Sequence, residues 1–200
     1  MKNQVVTISR QFGSGGREIG TKLAQALGVP CYDRSLIELA AREGKLDVEI
    51  VEQYDEKTVS PLFYSDPYQV SRMTPPISDT VFSAQSTVIR QLAERESCVI
   101  IGRCADAVLQ DHSGCLRTFI FAPVKDRVER VIERAELPAD KAREMVKTMD
   151  KKRRSYYNYF TDRRWGDVES YDLAINSSLL GVDGAVELIA AACRRLAERQ

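Results

Sequence analysis

The stretch "TISRQFGSGGREIG" (Thr7–Gly20) joins a strand-like run to a helix-like run through a glycine-rich turn. The run "QVVTIS" is apolar and β-branched, and "REIGTKLAQALG" places Ile19 and Leu23 on one helical face. Four of the eight residues from 13 to 20 are glycine. This order is typical of a phosphate-binding loop, because backbone N–H groups converge where the helix begins.

The loop departs from the G-x-x-x-x-G-K-[ST] pattern of nucleotide-binding loops. Aligned on Gly16, it has Gln11 for the first glycine, Arg17 for the lysine and Glu18 for the hydroxyl residue. Arginine can replace lysine as the cation on phosphate oxygens, and a carboxylate can bind Mg²⁺ directly. We predict a phosphate site with Glu18 as a Mg²⁺ ligand, formed by Gly13, Ser14, Gly15, Gly16, Arg17 and Glu18. The alternative is a structural turn whose charged residues face solvent.

Five strand-like runs alternate with helical patterns along the chain. The runs cover residues 5–9, 29–33, 98–102, 116–122 and 171–176. The middle runs are nearly continuous in apolar residues, as in a parallel sheet that is covered on both faces. Glycines at 28 and 44 are predicted to end the first two helices. The sequence therefore predicts one α/β domain over residues 1–200, with a five-stranded parallel sheet between two helical layers.

The segment 55–79 interrupts this alternation. It contains four prolines and has no clear period. A loop of this length in a compact domain is usually functional or mobile, and we predict the same here.

Bulk composition limits the classes of partner. The chain has 29 basic and 29 acidic residues, so its net charge gives no reason to expect a nucleic acid or membrane partner. Five scattered cysteines without C-x-x-C spacing favour reduced thiols and a cytoplasmic location. The single His112, in "QDHSG", is expected at a surface turn. The N-terminus does not resemble a signal peptide, and no apolar run is long enough to span a membrane.

Four segments together resemble the cytidylate kinase-like family, a branch of the P-loop nucleoside monophosphate kinases. "SRQFGSGGREIG" resembles its phosphate loop, and "GVPCYDRSLIELAA" resembles the segment that approaches the acceptor nucleotide. "CVIIGRCADAVL" is similar to a G-R-D stretch, with Cys104 in place of the aspartate. "DKKRRSYYNYFTDRRWGDVESYDLAINSS" resembles an arginine-rich lid followed by the last strand. The resemblance covers nearly the whole chain. It implies a three-layer P-loop kinase fold with an acceptor-binding insert at about 34–97 and a helical lid at about 136–166.

The same resemblance implies an ATP-dependent nucleoside monophosphate kinase that uses Mg²⁺. Its acceptor would be a pyrimidine nucleotide such as CMP or dCMP, and its partners would be small-molecule nucleotides. Two alternatives stay open. One is a kinase of another small-molecule acceptor. The other is a nucleotide-binding regulatory or partner-binding module without turnover, an alternative that Glu18 keeps open.

The resemblance also implies catalytic roles for Arg17 and for three lid arginines. Cations that surround the moving phosphoryl group stabilise its charge in the transition state. The candidates in the lid are Arg153, Arg154 and Arg163, with Arg164 beside them. A solvated basic helix face is the alternative. The aromatic residues between these arginines are predicted to pack the lid helix onto the body rather than to stack nucleic acid bases.

Six residues are candidates for binding the acceptor. They are Asp33, Arg34, Arg90, Gly102, Arg103 and Asp106. Arg103 follows a central strand run at the carboxyl edge of the sheet, where ligands of open α/β sheets bind. Asp106 would orient Arg103 or accept from a base amino group. For Asp33 the alternative is a helix cap. For Arg90 and Arg103 it is an ordinary surface position, and for Asp106 it is a cap or a surface acid.

Overall fold

A computed structural model of the chain describes residues 3–56 and 76–198. Five parallel strands form one sheet in the order β2-β3-β1-β4-β5. The strands are β1 (Val5–Arg10), β2 (Cys31–Tyr32), β3 (Cys98–Ile101), β4 (Cys115–Phe121) and β5 (Leu173–Asn176). The predicted five-stranded parallel sheet is confirmed, although its second strand is only two residues long.

Helices connect the strands, as the alternating pattern predicts. They are α1 (Gly16–Leu27), α2 (Ser35–Gly44), α3 (Val48–Tyr54), α4 (Ile77–Arg95), α5 (Ala105–Val108), α6 (Val124–Ala135), α7 (Ala139–Thr161) and α8 (Ser177–Ala197). A 3₁₀ helix covers Val168–Ser170. The short α3 and α5 were not predicted, because neither is long enough to show a helical period.

Strand β1 lies at the centre of the sheet and divides the core into two layers. Its alternate side chains point to opposite faces. Val6 and Ile8 pack against residues of α1 and α8, such as Leu23. Val5 packs on the other face with Ile89 of α4. Because this central strand is buried on both faces, it holds the loop that follows it at a fixed position at the carboxyl edge of the sheet.

The ends of the first helices follow the glycine pattern closely. Helix α1 ends at Leu27, and Gly28 takes a left-handed conformation with φ 67°, as predicted. Helix α2 extends through Gly44, and Lys45 takes the left-handed position with φ 51° instead. The predicted stop is therefore one residue early. Part of the segment 55–79 is helical, since α4 begins at Ile77, and residues 57–75 lie outside the described part of the chain.

Helix α7 is one continuous helix of 23 residues, and its carboxyl half packs onto the body of the domain. Tyr156 Oη donates to Gln85 Oε1 at 2.9 Å, and Tyr157 Oη donates to Asp106 Oδ2 at 2.6 Å. Both tyrosines are buried, which confirms that aromatic residues of this segment pack it onto the body. Closure of this segment as an arginine-rich lid stays a prediction.

The five cysteines are free thiols. None of the helices in the described ranges is long and apolar enough to cross a membrane.

Candidate active site

The glycine-rich loop between β1 and α1 has a backbone that requires glycine at two positions. Gly13 and Gly15 have φ values of 79° and 81°, a region that other residues rarely adopt. Between them, Ser14 Oγ donates to the Gln11 carbonyl at 2.8 Å, and Ser177 Oγ donates to the Ser14 carbonyl at 2.6 Å. Ser14 is buried, so its hydroxyl stabilises the loop through this internal hydrogen bond and does not face a ligand.

The start of α1 presents unpaired backbone donors at this loop. Within residues 3–56 and 76–198, no acceptor is bonded to the N–H groups of Gly15, Gly16, Arg17 or Glu18. The first N–H groups of a helix have no partner inside the helix, and they carry the positive end of its dipole. The loop therefore has the donor set that a phosphate group requires.

A cavity of 370 Å³ opens beside the loop at the carboxyl edge of the sheet. Its lining includes the backbone of Gly13, Gly15 and Gly16. It also includes six arginines, which come from five different segments of the chain: Arg10, Arg17, Arg103, Arg130, Arg134 and Arg153. Three carboxylates line it as well, namely Asp33, Asp55 and Glu56. The cavity is thus cationic by residue count, as a site for polyphosphate should be.

The side of the cavity next to the loop has uncompensated cations. Arg130 Nη1 donates to the Gly13 carbonyl at 2.9 Å, and Arg134 lies one turn further along α6. Neither guanidinium has a carboxylate partner among the described residues. The sequence prediction missed both, although their i,i+4 spacing on the helix after β4 places them on one face.

The opposite side of the cavity consists of ion pairs. Arg103 is only 4% exposed, and its Nε and Nη2 bind Asp55 Oδ1 and Oδ2 at 2.9 and 2.8 Å. Its Nη1 binds Asp33 Oδ1 at 3.1 Å, and Arg17 Nε donates to the other oxygen of Asp33. Burial disfavours the ionised acid, but the hydrogen bond from Arg17 and the charges of Arg103, Arg10 and Arg17 outweigh it and hold the pKa of Asp33 below its ordinary value.

Glu56 pairs with the two remaining arginines. Arg10 Nη1 lies 2.7 Å from Glu56 Oε1, and Arg153 Nε lies 3.1 Å from Oε2. Although burial opposes its charge, these cations hold the pKa of Glu56 well below its usual range. Burial and the neighbouring Arg10 lower the pKa of Arg153 to about 10, so it remains a cation at neutral pH.

Many of the residues predicted from sequence do meet at this cavity. Those in its lining are Gly13, Gly15, Gly16, Arg17, Asp33, Arg103 and Arg153. Gly102 lines a small adjoining cleft together with Arg103. Asp33 does not cap α2, since its carboxylate binds arginines instead.

Other predicted residues lie away from the cavity. Arg34 is exposed and pairs with Glu52 at 2.8 Å, and Arg90 is exposed on α4. Arg154 lies over the Trp165 ring, 5.9 Å from its centroid, and Arg163 donates to Gln110. None of the four lines the cavity. Their predicted roles in binding and catalysis therefore have no geometric support from this arrangement.

Asp106 lies in the core rather than beside a ligand. It is 1% exposed, and Ser9 Oγ donates to its Oδ1 at 3.0 Å while Tyr157 donates to Oδ2. Burial raises its pKa, and these two hydrogen bonds offset only part of that effect. The turn before it explains the difference, because Arg103 and Cys104 both have left-handed φ values and redirect the chain inward. The carboxylate that orients Arg103 is Asp55.

Glu18 also lies outside the cavity lining. Its side chain is 43% exposed, and its Oε1 lies 3.7 Å from Lys22 Nζ, one helical turn on. Within the described ranges, no three His, Cys, Asp or Glu side chains are grouped as metal ligands. Mg²⁺ in proteins usually keeps several waters and is bound by substrate phosphates together with only one or two carboxylates. A cavity that supplies few carboxylates therefore fits a Mg²⁺ ion that is carried by the phosphates of a nucleotide.

A parallel sheet, a glycine loop before the first helix and an arginine-lined cavity define a kinase of the P-loop type. The model of the cytidylate kinase-like family matches residues 5–179. The chain therefore belongs to the cytidylate kinase-like family and is a phosphotransferase.

Individual relatives agree with this assignment. A cytidylate kinase from Halorubrum lacusprofundi is 28% identical over 94% of this chain and 88% of its own length. One from Pyrococcus horikoshii is 24% identical, with 96% and 89% covered. Among solved structures, an uncharacterized protein from Eubacterium ventriosum is 27% identical with a TM-score of 0.73, covering 96% of this chain and 99% of that one. A Sinorhizobium meliloti gluconokinase is 17% identical over 98% and 94% of the two chains, and its TM-score of 0.56 shows a shared fold.

Proposed function

We propose that the protein transfers the terminal phosphoryl group of ATP to a pyrimidine nucleoside monophosphate, with CMP or dCMP as the first candidate. The observation that carries the proposal is the convergence of six arginines on one cavity beside a loop with free N–H donors. Phosphoryl transfer requires alignment and positive charge more than covalent chemistry. The relatives named cytidylate kinase support the choice of acceptor.

In this proposal the two sides of the cavity hold the two substrates. The N–H groups of Gly15 and Gly16 bind the donor phosphates, and Arg130 and Arg134 neutralise their charge. Arg17 lies between the loop and Asp33, so its guanidinium faces the region where the phosphoryl group moves. Mg²⁺ would enter with ATP and shield its phosphate oxygens.

The acceptor occupies the opposite side, where Arg103 and Arg153 line the cavity. Its phosphate oxygen attacks in line with the leaving group. No general base is required, because that oxygen is already ionised at neutral pH. The guanidinium groups hold both phosphates against their mutual repulsion, which is where most of the rate enhancement of such a site arises.

ADP release in the presence of ATP and a panel of acceptors tests the proposal. The panel contains CMP, dCMP, UMP, AMP and GMP, with shikimate and gluconate as acceptors that lack a phosphate. We expect the highest kcat/KM for CMP or dCMP, with the diphosphate product identified by mass spectrometry. The Arg17→Gln variant, purified identically, sets an upper limit on the activity of any contaminating kinase.

Two other outcomes decide between the remaining alternatives. A higher kcat/KM for a hydroxyl acceptor would assign another kinase activity to the site. ATP binding without ADP release above the Arg17→Gln background, for every acceptor, would instead identify a nucleotide-binding module without turnover.

A further inference from the structure

Two consecutive acids that directly follow α3 bind three of the cavity's arginines. Asp55 makes a two-point contact with Arg103, and Glu56 bridges Arg10 and Arg153. All five side chains are largely buried, with exposures from 4% to 17%. Buried pairs of this kind are screened little by solvent, so each carboxylate is a strong competitor for any other anion at the same guanidinium groups.

The two acids neutralise the arginines on one side of the cavity and leave the arginines on the other side with their full positive charge. Arg130 and Arg134, next to the loop, have no carboxylate partner in the described part of the chain. Arg10, Arg103 and Arg153, on the other side, share the two negative charges of Asp55 and Glu56, and Arg103 also contacts Asp33 at 3.1 Å. A phosphate monoester carries a similar charge, about −1.5 to −2 at neutral pH, and similar acceptor oxygens. The two acids thus occupy the arginines in the manner of a bound phosphate.

The local backbone is adapted to this arrangement. A Cβ on Gly102 would lie 1.9 Å from Arg10 Nη1 and 2.5 Å from Glu56 Oε1, so the Arg10–Glu56 pair lies directly against the glycine. Glu56 itself has a φ of 50°, a conformation that a glutamate rarely adopts. The ion pairs of Glu56 offset part of the cost of this conformation.

We propose that Asp55 and Glu56 are an internal counter-anion that occupies a phosphate monoester subsite, and that the ligand's phosphate displaces them from Arg10, Arg103 and Arg153. Displacement frees Arg10 and Arg153 from Glu56 and leaves Arg103 with Asp33 alone, so one phosphate meets three guanidinium groups. A ligand without a second anionic group cannot replace both carboxylates, so the exchange selects a dianionic phosphate over a hydroxyl compound. The inference rests on the proposed function only in taking the phosphorylated acceptor as the displacing ligand.

Phosphate binding without turnover tests the displacement separately from catalysis. The variants are Asp55→Asn, Glu56→Gln and the double variant. Inorganic phosphate is the probe in isothermal titration calorimetry, and it is titrated into protein saturated with ADP so that the loop is already occupied. The double variant should bind phosphate about tenfold more tightly than the wild type. Its neutral side chains no longer compete for the arginines or repel the phosphate, so the attraction between the arginines and the phosphate is stronger. Glu49→Gln, an exposed position on the helix α3 that precedes the two acids, is the matched control and should bind phosphate as the wild type does.

An unchanged or weaker phosphate affinity in a folded double variant would overturn the inference, whether or not the enzyme turns over CMP. A crystal structure of the wild-type protein with ADP in the loop and inorganic phosphate provides a second test, which holds even if the double variant does not fold. We expect phosphate oxygens on Arg103, with the Asp55 and Glu56 ion pairs broken. A phosphate-bound structure in which both acids keep their arginines would contradict the displacement.

Discussion

Arg127 of α6 and Asp150 of α7 form a buried ion pair that also anchors the phosphate loop. Arg127 Nη1 lies 2.6 Å from Asp150 Oδ2 and also donates to the Phe12 carbonyl at 3.1 Å. The Phe12 N–H donates to Asp150 Oδ1 at 2.8 Å. Both backbone groups of one loop residue are therefore held by this pair, which couples the loop to the helices that carry Arg130, Arg134 and Arg153.

Asp150→Ala should lower the free energy of unfolding by about 3–5 kcal/mol, the usual cost of leaving one member of a buried pair without its partner. Urea unfolding followed by circular dichroism measures it. Glu144→Ala is the matched control on the same helix, since its pair with Lys141 is exposed and should contribute less than about 1 kcal/mol. Equal losses in the two variants would show that the anchor does not contribute as described.

The two left-handed glycines of the loop should respond differently to alanine. A Cβ on Gly13 would lie 2.6 Å from the Arg127 carbonyl oxygen, whereas the nearest atoms to one on Gly15 are 3.8 Å away. Gly15→Ala should therefore cost about 1–2 kcal/mol of stability from its backbone conformation alone. Gly13→Ala should cost more, because the clash adds to the same strain.

Ligand affinity provides a second test of Gly15. Gly15 lines the cavity, so a methyl group there meets the approaching phosphate and should weaken ADP binding about tenfold while the protein stays folded. Thermal unfolding and calorimetric ADP titration measure the two effects. A Gly15→Ala variant with wild-type ADP affinity would show that the phosphates do not approach the backbone at this residue.

Asp106 should make the protein less stable as the pH rises. Burial raises its folded-state pKa above the unfolded value of about 3.9, so the folded protein keeps a proton that the unfolded chain has lost. The unfolding free energy then falls with pH between these two pKa values and is level above the folded one.

The Asp106→Asn variant removes this contribution. Its unfolding free energy minus that of the wild type should become more positive from about pH 4 upward and then reach a plateau. Urea titrations at several pH values measure the difference, with the exposed Asp111→Asn as control. A difference that does not vary with pH would mean that Asp106 ionises in the folded protein as easily as in the unfolded chain.

Features that depend only on residues close together in the sequence could be predicted from the sequence. The strand pattern, the stop at Gly28 and the position of Gly13 and Gly15 follow from apolar periodicity and from glycine's access to positive φ. Arg103 at the end of β3 was predicted from the rule that ligands bind at the carboxyl edge of a parallel sheet, and it does line the cavity.

Features that depend on distant contacts could not be predicted in this way. Asp55 lies 48 residues from Arg103, and nothing in the unpatterned segment around Asp55 indicates which cation it meets. Arg10 at the end of β1 was missed because it precedes the loop motif, and its direction depends on Glu56. Asp106 was assigned to the ligand because the left-handed turn at Arg103 and Cys104 has no sequence signature outside glycine.

Arg17 and Glu18 are adjacent residues with opposite charges, and the geometry assigns them different importance. Arg17 lines the cavity and contacts Asp33, while Glu18 lies near Lys22 outside the cavity lining. Arg17→Gln should reduce kcat/KM by about 10²–10³, the cost of losing one group that stabilises transition-state charge. Arg17→Lys should restore part of that loss, since it returns the charge but not the planar donor pair.

Glu18→Gln tests whether the altered loop uses its carboxylate for the metal. If Glu18 only pairs with Lys22, the variant should lose less than about 1 kcal/mol of stability, as expected for an exposed pair. Its ATP affinity, measured with and without Mg²⁺, should then change with metal as the wild-type affinity does. Weaker binding of Mg-ATP with unchanged binding of metal-free ATP would instead make Glu18 a metal ligand, because only a carboxylate that touches the ion affects one form and spares the other. That result would require the carboxylate to leave Lys22 and turn toward the cavity when the nucleotide binds.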